Sequence, residues 1–165
     1  MTTSRSSPAF EHKICAPSDV EARLSRQPRP LVFTNGVFDI LHRGHVTYLA
    51  QARALGSSLL VAVNSDASAK KLSKGEGRPV NALEDRLAVL AALEAVTLVT
   101  WFEEETPLPL ILKVKPDVLV KGGDWKPEAI AGAAEVKSWG GAVHSIPLLP
   151  GRSTTSLIER IRGKS

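Results

Sequence analysis

The chain has 165 residues, of which 43% are apolar, so one globular domain with a real core is expected, whereas no run approaches the roughly eighteen apolar residues of a membrane span. The N-terminus lacks the continuous apolar segment of a signal peptide and the single cysteine, Cys15, excludes an internal disulfide, which together predict a cytoplasmic protein. The net charge of +4 divides into +2 for residues 1–29, +3 for residues 152–165 and −1 between them, so no continuous basic patch is expected and no nucleic-acid partner.

We interpret residues 1–28 as an N-terminal tail, with its first seventeen residues loose because they are polar and contain Ser and Pro. Ser18 and Glu21 have the spacing of a capping box, which predicts a short helix that ends before Pro28. Residues 29–165 are interpreted as the folded domain.

From Leu31 onward, apolar runs alternate with helical patterns. In chain order the predicted elements are strand 31–34, helix 46–55, strand 59–63, helix 81–93, strand 96–101, helix 107–114, strand 118–120, helix 127–139, strand 142–146 and helix 155–162. This alternation predicts an α/β fold, a doubly wound Rossmann-like sheet of about five parallel strands with helices on both faces.

In such a sheet, ligands bind at the carboxyl ends of the strands. The segments that follow predicted strands there are polar, glycine-rich or basic: TNGVFDILHRGH (34–45), NSDASAKKLSKGEGRP (64–79), KGGDWK (121–126) and PLLPGRSTTS (147–156). We expect all four to meet at one edge of the sheet.

His42 and His45 lie three residues apart at the predicted start of a helix. This spacing places both imidazoles on one helix face, beside the free N–H groups of the helix end. Gly36 and Gly44 allow the backbone to approach a ligand closely. A polyphosphate anion fits this arrangement, and histidines that merely cap the helix fit it equally well. A metal site is less favoured, because no third ligand lies nearby in the sequence. Neither the dinucleotide fingerprint nor the P-loop motif is present.

TNGVFDILHRGHVTYL resembles the H-x-G-H signature of the cytidylyltransferase-like nucleotidylyltransferases, and GRSTTSLI resembles the S-T-T that begins their last helix. VNSD, GEGRPVNALEDR and DVLVKGGDWKPEAI are most similar to the D-glycero-β-D-manno-heptose 1-phosphate adenylyltransferases, in their stand-alone form. The similarity covers residues 31–161. It implies transfer of AMP from ATP, accompanied by Mg²⁺, to the heptose 1-phosphate, giving ADP-heptose for the lipopolysaccharide core and pyrophosphate. It also implies a homodimer.

The resemblance implies that His42 and His45 are catalytic, holding the triphosphate and stabilising charge near the α-phosphate. The implied ATP contacts come from Thr34, Asn35, Gly36, Phe38, Asp39, Gly44, Lys121, Gly122, Asp124, Ser153, Thr154 and Thr155. The implied sugar-phosphate contacts come from Asn64, Asp66, Lys71, Arg78, Arg86, Trp125 and Arg152. No residue is assigned to a metal.

Some of these side chains have a second interpretation. Asp39 fits a loop contact as well as a metal or ribose contact, and Trp125 fits loop packing as well as stacking. The KKLSK run is typical of a solvated face. Arg86 is favoured for the sugar phosphate because its helix is expected to face the crevice. Residues 75–77 are expected to close over substrate, and residues 103–105 to form a solvated turn.

Glycerol-3-phosphate cytidylyltransferases share the H-x-G-H, a G-D-x-W segment and the S-T-T. Their R-T-E-G before the S-T-T is absent here, where LLPG stands and Arg152 directly precedes Ser153. This departure favours the heptose branch, and it leaves Arg152 as either a phosphate contact or a solvent-facing residue. A polyol-phosphate cytidylyltransferase and a non-catalytic nucleotide-binding module are the alternative functions.

Overall fold

The structure is a computed structural model that describes residues 7–72 and 77–163. One sheet contains the strands β1 Leu31–Gly36, β2 Ser58–Asn64, β3 Leu98–Phe102, β4 Val118–Gly122 and β5 Ala142–Ile146. All neighbouring strands are parallel, in the spatial order β3-β2-β1-β4-β5. The chain therefore winds outward from β1 to one edge and then returns to place β4 on the other side of β1.

The α-helices are α1 Val20–Leu24, α2 Arg43–Arg53, α3 Asp66–Lys71, α4 Leu83–Ala91, α5 Leu108–Val114, α6 Ala133–Ser138 and α7 Thr154–Ile161. The short α3 was absent from the predicted elements, and Lys70 and Lys71 lie in its last turn. Strand β5 has the predicted bounds, and most other elements differ from their predictions by a few residues at either end. Within the described part of the chain, no helix is both long and apolar enough to cross a bilayer.

The alternating side chains of β1 divide the core into two layers. Leu31 and Phe33 lie in the layer with α1, α5 and α6, whereas Val32 lies in the layer with α2 and α4. Successive side chains of a strand point to opposite faces of the sheet, and helices cover both faces here. A central strand of such a sheet is therefore apolar almost throughout. All residues of β2 are buried, as this argument requires. The predicted doubly wound α/β fold is confirmed.

The prediction of one helix over residues 127–139 is wrong. A 3₁₀ turn at Pro127–Ala129 is followed by a break, and α6 begins only at Ala133. Gly132 stands at the break with a φ of +88°, a left-handed conformation that interrupts a helix and that glycine adopts without strain. The space there is also tight, because a Cβ at this position would lie 2.7 Å from Ile111 Cδ1.

Part of the N-terminal segment is packed, so the expectation of a loose region is wrong for it. Ala9–Lys13 form a 3₁₀ helix. Ile14 pairs with Val99 of the edge strand β3, and the Cys15 N–H donates to the Val99 carbonyl at 2.9 Å. Cys15 is buried, as are two apolar residues of α1. A few apolar residues among polar neighbours thus cover an edge that would otherwise have unpaired backbone groups.

The start of α1 also differs from the capping-box prediction. Asp19 is its N-cap residue, and no side chain makes a capping hydrogen bond there. The Ser18 hydroxyl instead donates to the Asp19 carboxylate at 3.0 Å. The helix is therefore short and held by the burial of Val20 and Leu24.

Candidate active site

The main cavity lies at the carboxyl ends of β1 and β4, where the order of the strands reverses. This switch point is the usual ligand site of doubly wound sheets. The cavity has a volume of about 460 Å³, within the range of small-molecule sites. The predicted site residues that line it are Asn35, Gly36, Phe38, His45, Lys121, Gly122 and Trp125.

His42 is the N-cap residue of α2 and closes the start of that helix. Its backbone is extended, and its Nδ1 accepts a hydrogen bond from the Gly44 N–H at 3.1 Å. Because Nδ1 accepts, the proton of the neutral imidazole is assigned to Nε2, which can donate to a ligand. A Cβ at Gly44 would lie 2.8 Å from His42 Cε1, so a side chain at position 44 would displace the ring.

His45 lies in the first turn of α2, and its ring stacks on that of His42. The two ring centroids are 4.0 Å apart with an interplanar angle of 29°. The Phe38 ring meets His45 edge-on at 5.6 Å. Phe38 has a φ of +49°, which is uncommon for a bulky residue and costs about 1–3 kcal/mol. The strained backbone of Phe38 thus holds a ring that fixes the histidine pair beside the cavity.

The electrostatic surroundings of His42 favour its neutral form. Burial lowers the pKa of His42 below its ordinary value of 6.5, and the positive charge of Arg152 lowers it further. Arg152 itself is exposed. The imidazole is therefore neutral at pH 7 in the free protein. A phosphate placed nearby would favour protonation, because an opposite charge stabilises the imidazolium.

Tyr48 is a cavity residue that the sequence argument missed. It follows His45 by three positions, so both lie on one face of α2, and this spacing is the signal that identifies it. Its buried hydroxyl shares a hydrogen bond with Thr34 Oγ1, and burial raises the pKa of Tyr48 to about 12. Thr34 is fully buried. It supports Tyr48 and does not line the cavity, contrary to the direct ATP contact expected for it.

The cavity has an apolar end beside Gly122. A Cβ at Gly122 would lie 3.0 Å from Leu148 Cδ2 and 3.2 Å from Tyr48 Cε2, so a side chain there would fill this end. Ile130 also lines it, as does the half-exposed ring of Trp125. An apolar slot next to glycine backbone suits a flat aromatic ring. Trp125 therefore lies where stacking is possible.

The Lys121 ammonium group marks the other, charged part of the cavity wall. Its Nζ lies 3.3 Å from the Asn35 carbonyl oxygen and 3.4 Å from Asn35 Oδ1. These contacts hold the ammonium group between the ends of β4 and β1. The cavity thus combines an apolar slot with a cationic group, which is the combination that a nucleotide requires.

Asp39 joins the loop that follows β1 to the loop that precedes α4 through hydrogen bonds. Its carboxylate accepts hydrogen bonds from the Val80 and Asn81 N–H groups at 2.8 and 2.9 Å and from Arg78 Nε at 2.7 Å. Asn81 Nδ2 donates in return to the Asp39 carbonyl at 2.7 Å. Asp39 is 4% exposed and lies outside the cavity lining. The structure therefore shows the loop contact, and the guanidinium of Arg78 is bound to Asp39.

An Asp39→Asn variant is expected to lose about 2–3 kcal/mol of stability at pH 7, because an amide replaces the acceptor of charge-assisted hydrogen bonds. Burial raises the pKa of Asp39, but hydrogen bonds from Asn81, Val80 and Arg78 outweigh it, and the pKa lies below its ordinary value of 3.8. The carboxylate's contribution is therefore present above about pH 4 and is lost as the pH falls through the lower folded-state pKa.

Urea unfolding of both proteins at pH 7 and pH 3 measures this contribution. The difference in the free energy of unfolding between the two proteins should be smaller at pH 3 than at pH 7. An equal difference at the two pH values would contradict the stabilising role of the Asp39 carboxylate. Asp85→Asn, at an exposed carboxylate of α4, is the matched control and should change stability little.

Arg86 is buried, so the prediction that it faces the crevice is wrong. Its side chain is 0% exposed. The guanidinium donates to three backbone carbonyl oxygens, those of Val37 at 2.7 Å, Asn64 at 2.9 Å and Asn81 at 3.1 Å. Its Nη2 also donates to Asp66 Oδ1 at 2.7 Å. Arg86 and Asp66 therefore join the loop after β1, the end of β2 and the start of α4, and neither side chain lines the main cavity.

The start of α7 is fixed to the loop that follows β1. Ser153 is its N-cap residue, and its Oγ accepts from the Ser156 N–H at 3.0 Å. The Thr154 hydroxyl donates to the Ile40 carbonyl at 3.1 Å. Thr155 is exposed in the first turn. The second signature motif thus meets the first one, as predicted, although the two are far apart in the sequence.

The remaining predicted residues lie outside the lining of the main cavity. Asp124 and Lys71 are exposed, and Asn64 is buried at the end of β2. Lys74 and most of the expected closing segment 75–77 lie outside the described residues. Across residues 7–72 and 77–163, no group of three or more His, Cys, Asp or Glu side chains is arranged to hold a metal ion.

Sequence comparison reveals close relatives. A family model described as cytidylyltransferase-like matches residues 33–160. The chain is 54% identical over 159 residues to a D-beta-D-heptose 1-phosphate adenylyltransferase of Bordetella bronchiseptica, covering 95% of this chain and 98% of that protein. It is 57% identical over 144 residues to the bifunctional protein HldE of Salmonella arizonae, covering 87% of this chain and 30% of that protein.

Solved structures share the fold. A lipopolysaccharide core biosynthesis protein from Thermoplasma volcanium is 32% identical with a TM-score of 0.60, over 72% of this chain and 95% of that one. Pantothenate synthetase from Thermus thermophilus is 18% identical with a TM-score of 0.58, over 88% of this chain and 70% of that one. At 18% identity, the likeness to pantothenate synthetase shows the fold alone.

Proposed function

This chain belongs to the cytidylyltransferase-like family, and from that premise we propose that it transfers AMP from ATP to D-glycero-β-D-manno-heptose 1-phosphate. The products are ADP-heptose, an activated sugar for the lipopolysaccharide core, and pyrophosphate. The observation that carries the proposal is the stacked pair of His42 and His45 at the helix start beside the main cavity. The 54% identity to a heptose 1-phosphate adenylyltransferase over nearly the whole chain selects the substrates.

The reaction needs positioning and charge stabilisation more than it needs a base. An oxygen of the sugar phosphate is already anionic; it attacks the α-phosphorus of ATP in line, and the bond to the pyrophosphate leaving group breaks. His42 offers its Nε2–H as a donor, and His45 lies against it at the cavity wall. Donors fixed in this way stabilise the charge that develops on the phosphate oxygens in the transition state.

The start of α7 supplies the second half of the triphosphate site. Ser153, Thr154 and Thr155 lie at its N-terminal end, where free N–H groups and the helix dipole favour an anion. Arg152 adds a positive charge close to His42. The β- and γ-phosphates would bind here, and the adenine would enter the apolar slot beside Gly122.

Mg²⁺ would arrive with ATP and be held mainly by its phosphates, since the described residues contain no group of three or more His, Cys, Asp or Glu side chains arranged for a metal ion. The Asp39 carboxylate is occupied by Arg78 and two backbone N–H groups, so the nearest buried carboxylate is not directed at the phosphates. Mg²⁺ typically binds through substrate phosphates and water with few protein ligands, and it neutralises phosphate charge when bound. The homodimer implied by the resemblance stays a prediction.

Pyrophosphate release tests the proposal, with ATP and CTP each combined with heptose 1-phosphate and glycerol 3-phosphate in the presence of Mg²⁺. We expect turnover with ATP and heptose 1-phosphate only. Turnover with CTP and glycerol 3-phosphate instead would keep the site but assign the neighbouring cytidylyltransferase reaction. Absence of turnover in all four combinations would contradict the proposed function and favour a nucleotide-binding module.

A further inference from the structure

A second, smaller cavity adjoins the main one. Its volume is about 180 Å³, and it shares Asn35 and Lys121 with the main cavity. Its remaining wall adds three polar residues that the main cavity lacks, Asn64, Glu105 and Thr106. A space below the roughly 300 Å³ of a drug-sized pocket holds one part of a substrate and not a whole nucleotide.

The polar residues of this wall suit the hydroxyl groups of a ligand. Asn64, Glu105 and Thr106 provide an amide, a carboxylate and a hydroxyl. A carboxylate repels phosphate, but it is a strong acceptor for the O–H donors of a sugar. Lys121 is the cation in this wall, and it lies at the junction with the main cavity. A ligand with an uncharged polyhydroxyl body and one phosphate at the junction matches this pattern.

The wall is held in position by the ends of β2 and β3. Asn64 Nδ2 donates to Ser68 Oγ at 3.0 Å, and Ser68 Oγ donates to the Glu104 carbonyl at 3.0 Å. The Ser65 N–H donates to the Phe102 carbonyl at 2.9 Å. Residues 103–105 are exposed, as predicted for a solvated turn, and the Glu104 carbonyl within them is the acceptor for Ser68. The backbone next to Glu105 is therefore held against α3.

We propose that this smaller cavity is the sugar subsite, in which Asn64, Glu105 and Thr106 bind hydroxyl groups of the heptose; the proposal rests on the function proposed above. Lys121 then neutralises the sugar phosphate where it meets the α-phosphate of ATP. Glu105 is a residue that determines specificity for the acceptor, and it has no role in binding ATP.

The test compares wild type, Glu105→Gln and Glu103→Gln. The control changes a carboxylate of the same turn that lines neither cavity. Loss of one charge-assisted hydrogen bond should raise the KM for heptose 1-phosphate about tenfold in Glu105→Gln, while the KM for ATP stays within about twofold. Glu103→Gln should match wild type in both constants. Calorimetric titration of heptose 1-phosphate into protein saturated with a non-hydrolysable ATP analogue should show the same loss of affinity.

The two proposals fail in different ways. Heptose 1-phosphate binding that is weakened by Glu105→Gln, without pyrophosphate release by the wild type, would sustain the subsite and reject the reaction. An unchanged KM and Kd for heptose 1-phosphate in Glu105→Gln would overturn the subsite. So would an equal rise in the KM for ATP, or no binding of heptose 1-phosphate to the wild type.

Discussion

Removing either imidazole is expected to lower kcat for adenylyl transfer by about 10²–10³-fold, the effect of deleting one donor that stabilises charge in the transition state. His45→Ala removes the ring that stacks on His42 and lines the cavity. At position 42 we choose His42→Asn, because asparagine keeps a side-chain acceptor for the N-cap of α2. The change removes the Nε2–H donor of the imidazole. Single-turnover measurements at saturating ATP isolate the chemical step.

The control for the histidine variants is His144→Ala, which changes an exposed histidine on β5 and should leave kcat unchanged. Circular dichroism and thermal unfolding should show a retained fold for all three variants. Near-normal rates in both His42→Asn and His45→Ala would reject the mechanism. A large rise in the KM for ATP at constant kcat would instead assign the histidines to ground-state binding.

Replacing Arg86 with methionine is expected to lower the free energy of unfolding by about 3–5 kcal/mol, because it removes a buried donor that serves three backbone carbonyl oxygens. Methionine keeps a long side chain but leaves the carbonyl oxygens of Val37, Asn64 and Asn81 without their donor. Each unsatisfied buried group costs about 1–3 kcal/mol. Asp66 is 42% exposed, so water solvates its carboxylate and limits its share of the loss.

Urea unfolding of wild type, Arg86→Met and Arg26→Met measures this loss. Arg26 is exposed, so its replacement should change stability by less than about 0.5 kcal/mol. A substrate-binding arginine would behave differently: Arg86→Met would then raise the KM for the sugar phosphate and leave unfolding unchanged. That result would restore the interpretation made from the sequence.

The strand pattern and the two signature motifs were predictable because each depends on local information. A strand buried on both faces requires an unbroken apolar run, and β2 consists of SLLVAVN, almost entirely apolar. The rule that ligands bind at strand ends then brought TNGVFDILHRGH and GRSTTS together without knowledge of any side-chain position. His42 and Ser153, the N-cap residues of α2 and α7, lie where that rule requires.

The errors concern properties that local sequence does not contain. Whether Arg86 is buried depends on which backbone carbonyls surround it, and these come from three separate segments. Asp39 was equally ambiguous, because its partners at Arg78, Val80 and Asn81 lie about forty residues away. The helix break at Gly132 depends on close packing against Ile111 of a different helix.

The hydrogen bond from Thr154 to Ile40 joins positions 114 residues apart. α7 itself has no buried residue, so its docking adds little to the core. We expect the sheet to form without the help of this last helix. A chain whose sheet had formed but whose α7 had not docked would lack half of the proposed triphosphate site, so tight ATP binding would report that α7 is in place.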